Sequence, residues 1–381
     1  MGVLRAEPYN DDHANRIVIV HGDPVAHEGE PRMLLSRVHE LPTRPTTRRR
    51  IAATPHRLPA LAAVVALALG AACGSDSEPS SGSQGDTATT VAGPIKLRVS
   101  FVPATTVLPL HVAKEQGIFE RNDLDVTLEQ AANISDIPAT LGRQFDIALG
   151  TATDLIRAGA AGLDVVQVAG NTNSTKDNPF VQLIVPANSG ITSVAQLKDK
   201  TVGTPTLSGV IHAAVLYWAK QEGVEPGAIR GVEAPSPNLP DQLKAGRIDA
   251  VEALEPFATT LKNAGNVSLG DPFVSIADTL ATNFWIAQGA WARDNEVAID
   301  RFVKSLEEAL VFIEQNPAEA RQILQAYTGM PAPVASSVPL PTYNFDVRTE
   351  DLGKWVEVLK DIGQLNGNVD VKKLVLSSSA D

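Results

Sequence analysis

Residues 95–128 constrain the fold of this chain more than any other stretch, because they lay out a strand, a hydroxyl-rich loop, a helix and a second strand in close succession. Ile95, Leu97, Val99 and Phe101 alternate with Lys96, Arg98 and Ser100, the period of two expected of a half-buried strand. Pro103 ends it. Thr105 and Thr106 are expected to cap the apolar run 107–113, which carries Lys114 in its last turn and stops at Gly117. A new strand begins at Asp125. Strand, loop, helix and strand in this order make a parallel βαβ unit, which binds small ligands at the carboxyl ends of its strands. The expected ligand loop is therefore 102–109.

The chain keeps alternating beyond this unit. Residues 134–142 read as helical and 145–150 as a buried strand, after which Thr151, Thr153 and Asp154 open a helix. Residues 165–170 form the next expected strand, leading into a polar loop at 171–178. A strand at 201–203, a loop at 204–209, a helix at 210–222, a strand at 229–234 and a helix to 245 repeat the pattern. Repeated βα units predict parallel sheets covered by helices. An internal echo suggests two similar halves: residues 141–148 and 243–250 each end a helix, turn, place an aspartate (Asp146, Asp249) and enter an apolar strand. After Asp294 the chain reads as mainly helical, with Phe302, Leu306, Leu310 and Ile313 on one helix face and Trp355, Val358, Leu359 and Ile362 on another.

The proline-containing loop, the run Pro-Leu-x-Val-Ala-Lys-Glu-x-Gly-x-Phe at 109–119 and the following Leu124-Asp125-Val126 resemble the opening of the substrate-binding proteins of bacterial transporters for nitrate, sulfonate and taurine. Relatives of these bind thiamine pyrimidine precursors or riboflavin. The resemblance covers about 95–376. It implies an α/β chain of the type II periplasmic-binding-protein fold, two lobes joined by a double-crossover hinge, with apolar segments 180–185 and 284–290 as the crossings. The expected first lobe is 94–183 together with the helical 286–381, and the second is 184–285. Closure of the hinge over a solute is the expected motion. A monomer serving an ABC permease and its ATPase is the implied assembly.

The N-terminal region reads differently. Arg48, Arg49, Arg50 and Arg57 precede fifteen uncharged residues at 58–72, then Cys73, the single cysteine of the 381 residues. That run is shorter than the ~20 residues needed to span a bilayer, so it reads as a signal peptide. Its ending resembles a bacterial lipobox, with Leu69 four rather than three positions before the cysteine, and Cys73 is the expected lipidation site, anchoring the protein outside the cytoplasm. The segment 47–50 leaves twin-arginine export as an alternative, and Met33 is a more natural start than the polar stretch before it. Residues 1–73 are thus extension and signal, and 74–93, rich in Ser, Gly, Thr and Asp, form a flexible linker.

Charge excludes some functions. Nine arginines and seven acidic residues precede Cys73, which leaves 23 basic and 37 acidic groups, a net of −14, in the remainder. Nucleic acid is not an expected partner, and a bound anion would have to be held by local N–H groups. Candidate ligand residues follow the strand ends: Pro103, Thr105, Thr106, Thr151, Thr153 and Asn171 in the first lobe, and Thr204, Thr206, Ser208, Gly209, Glu252 and Glu255 in the second. The loop 204–209 leads into a helix N-terminus, where exposed N–H groups and hydroxyls can hold a sulfonate, nitrate or carboxylate. Ser and Thr are equally ordinary N-caps. Glu252 would favour a solute carrying an amine. Glu255-Pro256 matches a Glu-Pro pair of the resembling family, while Pro256 also suits the first turn of a helix. Phe101, Phe257 and Trp285 are possible aromatic walls, Trp285 fitting hinge core equally well.

No catalytic set emerges. His111 and His212 are the only histidines after Cys73, and both read as partly buried and neutral. No spacing suggests a metal site, a phosphate loop or a nucleophile elbow, and no cofactor is expected. One fold relative, the yeast-type thiamine-pyrimidine synthase, consumes its own histidine and uses a cysteine-containing iron site, which this cysteine-poor sequence does not match.

Overall fold

The computed structural model describes residues 93–131 and 134–376. Cys73, the signal segment and the linker short of Gly93 lie outside these residues. In chain order the elements are β1 (Ile95–Phe101), α1 (Leu108–Glu115), α2 (Ile118–Arg121), β2 (Leu124–Gln130), β3 (Ile147–Thr151), α3 (Ala152–Ala160) and β4 (Val165–Thr175). There follow β5 (Val181–Val185), β6 (Thr201–Thr204), α4 (Val210–Gln221), β7 (Arg230–Glu233), α5 (Leu239–Lys244), β8 (Ala250–Leu254), α6 (Phe257–Asn263) and β9 (Val267–Gly270). The chain then forms β10 (Thr279–Gln288), α7 (Gly289–Asp294), α8 (Glu296–Gln315), α9 (Pro317–Thr328), α10 (Ala332–Ser337), β11 (Thr342–Tyr343) and α11 (Thr349–Asp361).

The first unit folds as its pattern dictates. Leu97, Val99 and Phe101 of β1 are buried, and β1 pairs in parallel with β2 from Ile95 opposite Leu124 to Phe101 opposite Gln130. Gly117, at φ 64°, takes the left-handed turn that separates α1 from α2 and that a residue with a Cβ resists. Neither Thr105 nor Thr106 caps α1, however. The chain enters it through a 3-10 turn at Thr105–Val107, with Ala104 in the capping position and no side-chain cap. Residues 134–142 also depart from the expected helix: Ile134–Ala139 is 3-10, with Pro138 inside it.

Two sheets result, ordered β2-β1-β3-β10-β4-β11 and β7-β6-β8-β5-β9. They are mixed rather than parallel. In each, one strand lies between two parallel partners, β1 in the first sheet and β6 in the second, and the next neighbour outward is an antiparallel strand arriving from the other sheet: β10 beside β3, and β5 beside β8. The chain passes from the first sheet to the second between Thr175 and Val181 and returns between Gly270 and Thr279. Both passages precede the boundaries expected at 183/184 and 285/286, because β5 and β10 each belong whole to the sheet they enter.

The echo has a structural counterpart. Asp146 Oδ2 accepts the Arg98 N–H at 2.8 Å and Asp249 Oδ2 accepts the Thr201 N–H at 2.8 Å, each 48 residues downstream of its donor. The aspartates also return their own N–H groups, to Arg98 O and Thr201 O. Each pins its strand to the neighbouring parallel strand, β3 to β1 and β8 to β6.

Three apolar clusters fill the layers. Leu97, Leu110, Phe119, Trp285, Phe302 and Leu306 pack between the first sheet and α1 and α8. Ile184, Val251, Leu239 and Leu261 pack between the second sheet and α5 and α6. The largest cluster runs between the two sheets, joining Leu155, Phe284, Trp355 and Leu359 to Ile211, Val215, Leu183 and Val185. Asp271 ties the passages: its carboxylate accepts from Ser174 Oγ at 2.8 Å, from the Phe273 N–H at 2.8 Å and from the Phe180 N–H.

Candidate functional site

β1, β3 and β4 run in one direction and all end on the side from which the chain crosses to the second sheet, while β6 and β8 end toward the same crossing. The carboxyl ends of both sets of parallel strands therefore carry the candidate ligand residues. In the first sheet Thr151, Asn283 and Thr172 lie in one row across β3, β10 and β4. Thr151 Oγ1 donates to Asp154 Oδ2 at 2.6 Å, accepts the Asp154 N–H as the cap of α3, and lies 3.2 Å from Thr153 Oγ1. Thr172 Oγ1 and Thr282 Oγ1 both reach Asn283 Oδ1. All of these side chains but Asn283, which is half-buried, are shielded from solvent.

The first candidate ligand loop is held by its carbonyls. Tyr327 Oη donates to Ala104 O at 2.8 Å, Tyr343 Oη to Thr105 O at 2.6 Å, and Asn171 Nδ2 to Thr106 O at 3.1 Å. Burial raises the pKa of both phenols, which keeps them protonated and donating. Asn171 does not sit in a loop, as its polar surroundings suggested, but inside β4, which runs on to Thr175. Polar side chains are tolerated there because β10 and β11 pair with the strand on either side. Gly170 makes room for this: a Cβ would stand 2.5 Å from both Asn344 O and Asp346 O, so only glycine lets 344–346 cross against β4 and deliver Tyr343.

Polar atoms remain unpartnered beside the loop. Thr105 Oγ1, Asn171 Oδ1 and His111 Nε2 are buried without a hydrogen-bond partner, as are atoms of Ser100, Gln167 and Trp285 elsewhere in the lobe. His111 is stacked on Tyr327 at 3.8 Å and meets Phe101 edge-on at 4.7 Å. Burial pushes its pKa down to about 4, so it is neutral as expected. Phe101 is thereby committed to His111, and Trp285, fully buried and edge-on to Phe302, belongs to the core rather than to a wall. Pro103 is half-buried at the loop entrance.

In the second sheet Thr204, fully buried, closes a turn on itself through the Thr206 N–H and Thr206 O. Gly209 stands at the start of α4 with no side-chain cap. His212, in the first turn of α4, places Nδ1 2.7 Å from Glu252 Oε1 on β8, both side chains being buried. Burial opposes the imidazolium, but the charge of Glu252 and its hydrogen bond outweigh it and raise the His212 pKa. This corrects the expectation of a neutral bystander. It also alters Glu252, whose charge is answered within the protein, while Oε2 stays buried and unpartnered. Glu255 is turned to structure: its Oε2 accepts the Thr259 N–H at 3.1 Å in the first turn of α6. Phe257 opens that helix.

One cation joins the two sets. Arg157 of α3 donates Nη1 to Ser208 O, in the second ligand loop, and Nη2 to Gln364 Oε1 at 2.6 Å. Among the described residues, no group of three His, Cys, Asp or Glu side chains is placed to hold a metal ion, and no helix is long and apolar enough to cross a membrane.

The family model described as NMT1/THI5 like matches residues 104–320. The chain belongs to the NMT1/THI5-like family. It is 27% identical over 228 residues to a 4-amino-5-hydroxymethyl-2-methylpyrimidine phosphate synthase of Candida albicans (strain WO-1), which covers 56% of the chain. The chain spans 65% of that protein's length. Among solved structures, the periplasmic aliphatic sulphonate binding protein SsuA of Escherichia coli aligns with a TM-score of 0.65 at 20% identity, covering 74% of this chain and 98% of its own. The periplasmic nitrate-binding protein NrtA of Synechocystis PCC 6803 aligns with a TM-score of 0.61 at 16% identity, covering 73% and 84%. These likenesses establish a periplasmic-binding-protein fold.

In this NMT1/THI5-like chain, sequence reasoning named Thr105, Asn171 and Glu252, which hold unpartnered buried atoms. It did not name Asp154, Arg157, Thr172, Asn283, Tyr327 and Tyr343, which bond to or lie in one row with the candidate residues and loops.

Proposed function

We propose that the protein is an extracytoplasmic solute-binding lipoprotein of an ABC importer, anchored through Cys73, which captures a small organic ion of the taurine, sulfonate or nitrate kind and hands it to a membrane permease. The observation that carries this reading is the set of buried polar atoms without partners at the carboxyl ends of both sheets: Thr105 Oγ1 and Asn171 Oδ1 on one side and Glu252 Oε2 on the other. Each such atom costs about 1–3 kcal/mol unless something hydrogen-bonds to it, and a solute drawn between the lobes can do so. Recognition would be by hydroxyls, amides and helix N-termini, without covalent chemistry.

A second reading, a thiamine pyrimidine precursor or another heteroaromatic solute, is favoured by Glu252. With Oε1 engaged by His212, Oε2 is an acceptor for an N–H rather than a free counter-charge. An aminopyrimidine offers such a donor, taurine offers an ammonium, and nitrate offers none. The name of the yeast relative points the same way. Synthesis of such a pyrimidine, rather than its binding, is the least supported alternative for a chain whose single cysteine is Cys73.

A thermal-shift screen of the protein with nitrate, taurine, alkanesulfonates, aminopyrimidines, riboflavin and aromatic carboxylates tests the reading. A bound solute raises the apparent transition by mass action, by about 2.7 kcal/mol at one hundred times Kd. A shift with one chemical class supports solute capture, and no shift with any of them counts against it.

A further inference from the structure

We propose that Arg157 is the latch that holds the two lobes closed, by binding the backbone of the second ligand loop directly. The inference rests on the reading of the two lobes as walls that open and close around a solute. Arg157 projects from α3 in the first lobe, one turn beyond Asp154, and its Nη1 reaches across to the second lobe while its Nη2 stays within the first. One arm reaches Ser208 O, immediately before Gly209 and the start of α4. The other reaches Gln364, just past the end of α11. A single side chain thus joins α3, the 204–209 loop and the end of α11.

The choice of acceptors fits a reversible tie. Both are neutral, a peptide carbonyl and a side-chain amide, while burial works against the cation and Asp154 supports it. A carboxylate at Ser208's place would hold the guanidinium far more firmly. Neutral acceptors that water can replace make this a tie that a cleft admitting and releasing a solute can break and remake.

Position sets this contact apart from the other tie on the same face. Lys220 of α4 bonds Asp361 Oδ1 at 2.8 Å, but that pair is largely exposed and lies at the far end of α4, where α4 packs on α11. Arg157 acts at the near end, on the ligand loop. It is also connected to the first lobe's strand ends, because Asp154, whose charge supports it, accepts from Thr151 Oγ1. A solute that rearranges Thr151 or the 204–209 loop would therefore move the latch, and the reverse holds by linkage.

The test reads lobe separation without any solute. In the full chain carrying Cys73→Ser, Glu115→Cys in the first lobe and Glu225→Cys in the second place spin labels at exposed positions, and their distance distribution is measured by pulsed electron resonance. Arg157→Gln is expected to raise the population at longer distance at least about fivefold, the effect of losing one net hydrogen bond, with the labelled protein still folded. Arg157→Lys, which can still donate to Ser208 O, is expected to restore most of the closed population. Gln364→Ala, removing the first-lobe contact that orients the guanidinium toward Ser208 O, is expected to give a smaller increase, and serves if Arg157→Gln does not fold. An unchanged distribution in a folded Arg157→Gln, or in Gln364→Ala if that alone folds, overturns the latch. Because no solute is present, that result leaves solute capture standing, and a negative solute screen leaves the distances interpretable.

Discussion

His212 and Glu252 form a buried hydrogen-bonded pair, Nδ1 to Oε1 at 2.7 Å, that joins the first turn of α4 to β8 at the carboxyl edge of the second sheet. Forty residues separate them in sequence. The pair anchors the helix that begins at the 204–209 loop and leaves Glu252 Oε2 buried without a partner.

Removing one partner exposes the cost of the other. Glu252→Ala is expected to destabilise the fold by about 1–3 kcal/mol in chemical denaturation, since it leaves His212 Nδ1 buried without a partner. The His212 pKa, followed by nuclear magnetic resonance, should lie above 6.5 in the parent protein and fall below it in Glu252→Gln, where burial acts unopposed. The folded-state value is raised, so the stabilisation is complete below pH 6.5 and is lost as pH rises through the folded pKa. A pair contribution that grew with rising pH would contradict the assignment.

Asp271 should give the opposite kind of pH profile to an ordinary surface carboxylate. Burial raises its pKa from 3.8 to about 6, against hydrogen bonds from Phe273, Ser174 and Phe180 that act to lower it. The folded chain then binds this proton more tightly than the unfolded chain. Stability from this group therefore falls as pH rises from about 4 through about 6, by an amount on the order of 3 kcal/mol. Asp271→Asn is expected to flatten that part of the denaturation profile, measured from pH 4 to 8.

The tyrosine clamp predicts a local effect. Tyr343→Phe and Tyr327→Phe each remove one hydroxyl from a carbonyl of the 104–106 segment, at a cost of about 1 kcal/mol apiece. Hydrogen exchange should quicken at residues 105–108 in both variants, with the 204–209 loop unaffected. A uniform loss of protection across the chain would mean that the phenols serve the core rather than the loop.

Much of this architecture can be read from local patterns. The alternation at Ile95–Phe101 is a real strand, and the aspartates of the echo perform the same task in each sheet, pinning β3 to β1 and β8 to β6. The faces expected of the late helices are buried at Phe302, Leu306, Ile313, Trp355 and Leu359. What failed was long-range. The polar run 171–175 looks like a loop because its burial comes from β10, over a hundred residues away in sequence. The parallel-sheet expectation missed β5 and β10 because a crossing strand has no local signature of the sheet it will join. His212, Arg157 and Tyr343 each act on a residue far along the chain, and no spacing rule brings those partners together.

The most direct test of a two-walled site is calorimetric titration of whichever compound gives the largest thermal shift, into the parent protein, Asn171→Leu and Glu252→Gln. One variant alters the first lobe's wall and the other the second. The account predicts that both remain folded and that each weakens binding of the same solute at least about tenfold, equivalent to about 1.4 kcal/mol. Parent-like affinity in either variant would contradict a site shared between the carboxyl ends of the two sheets.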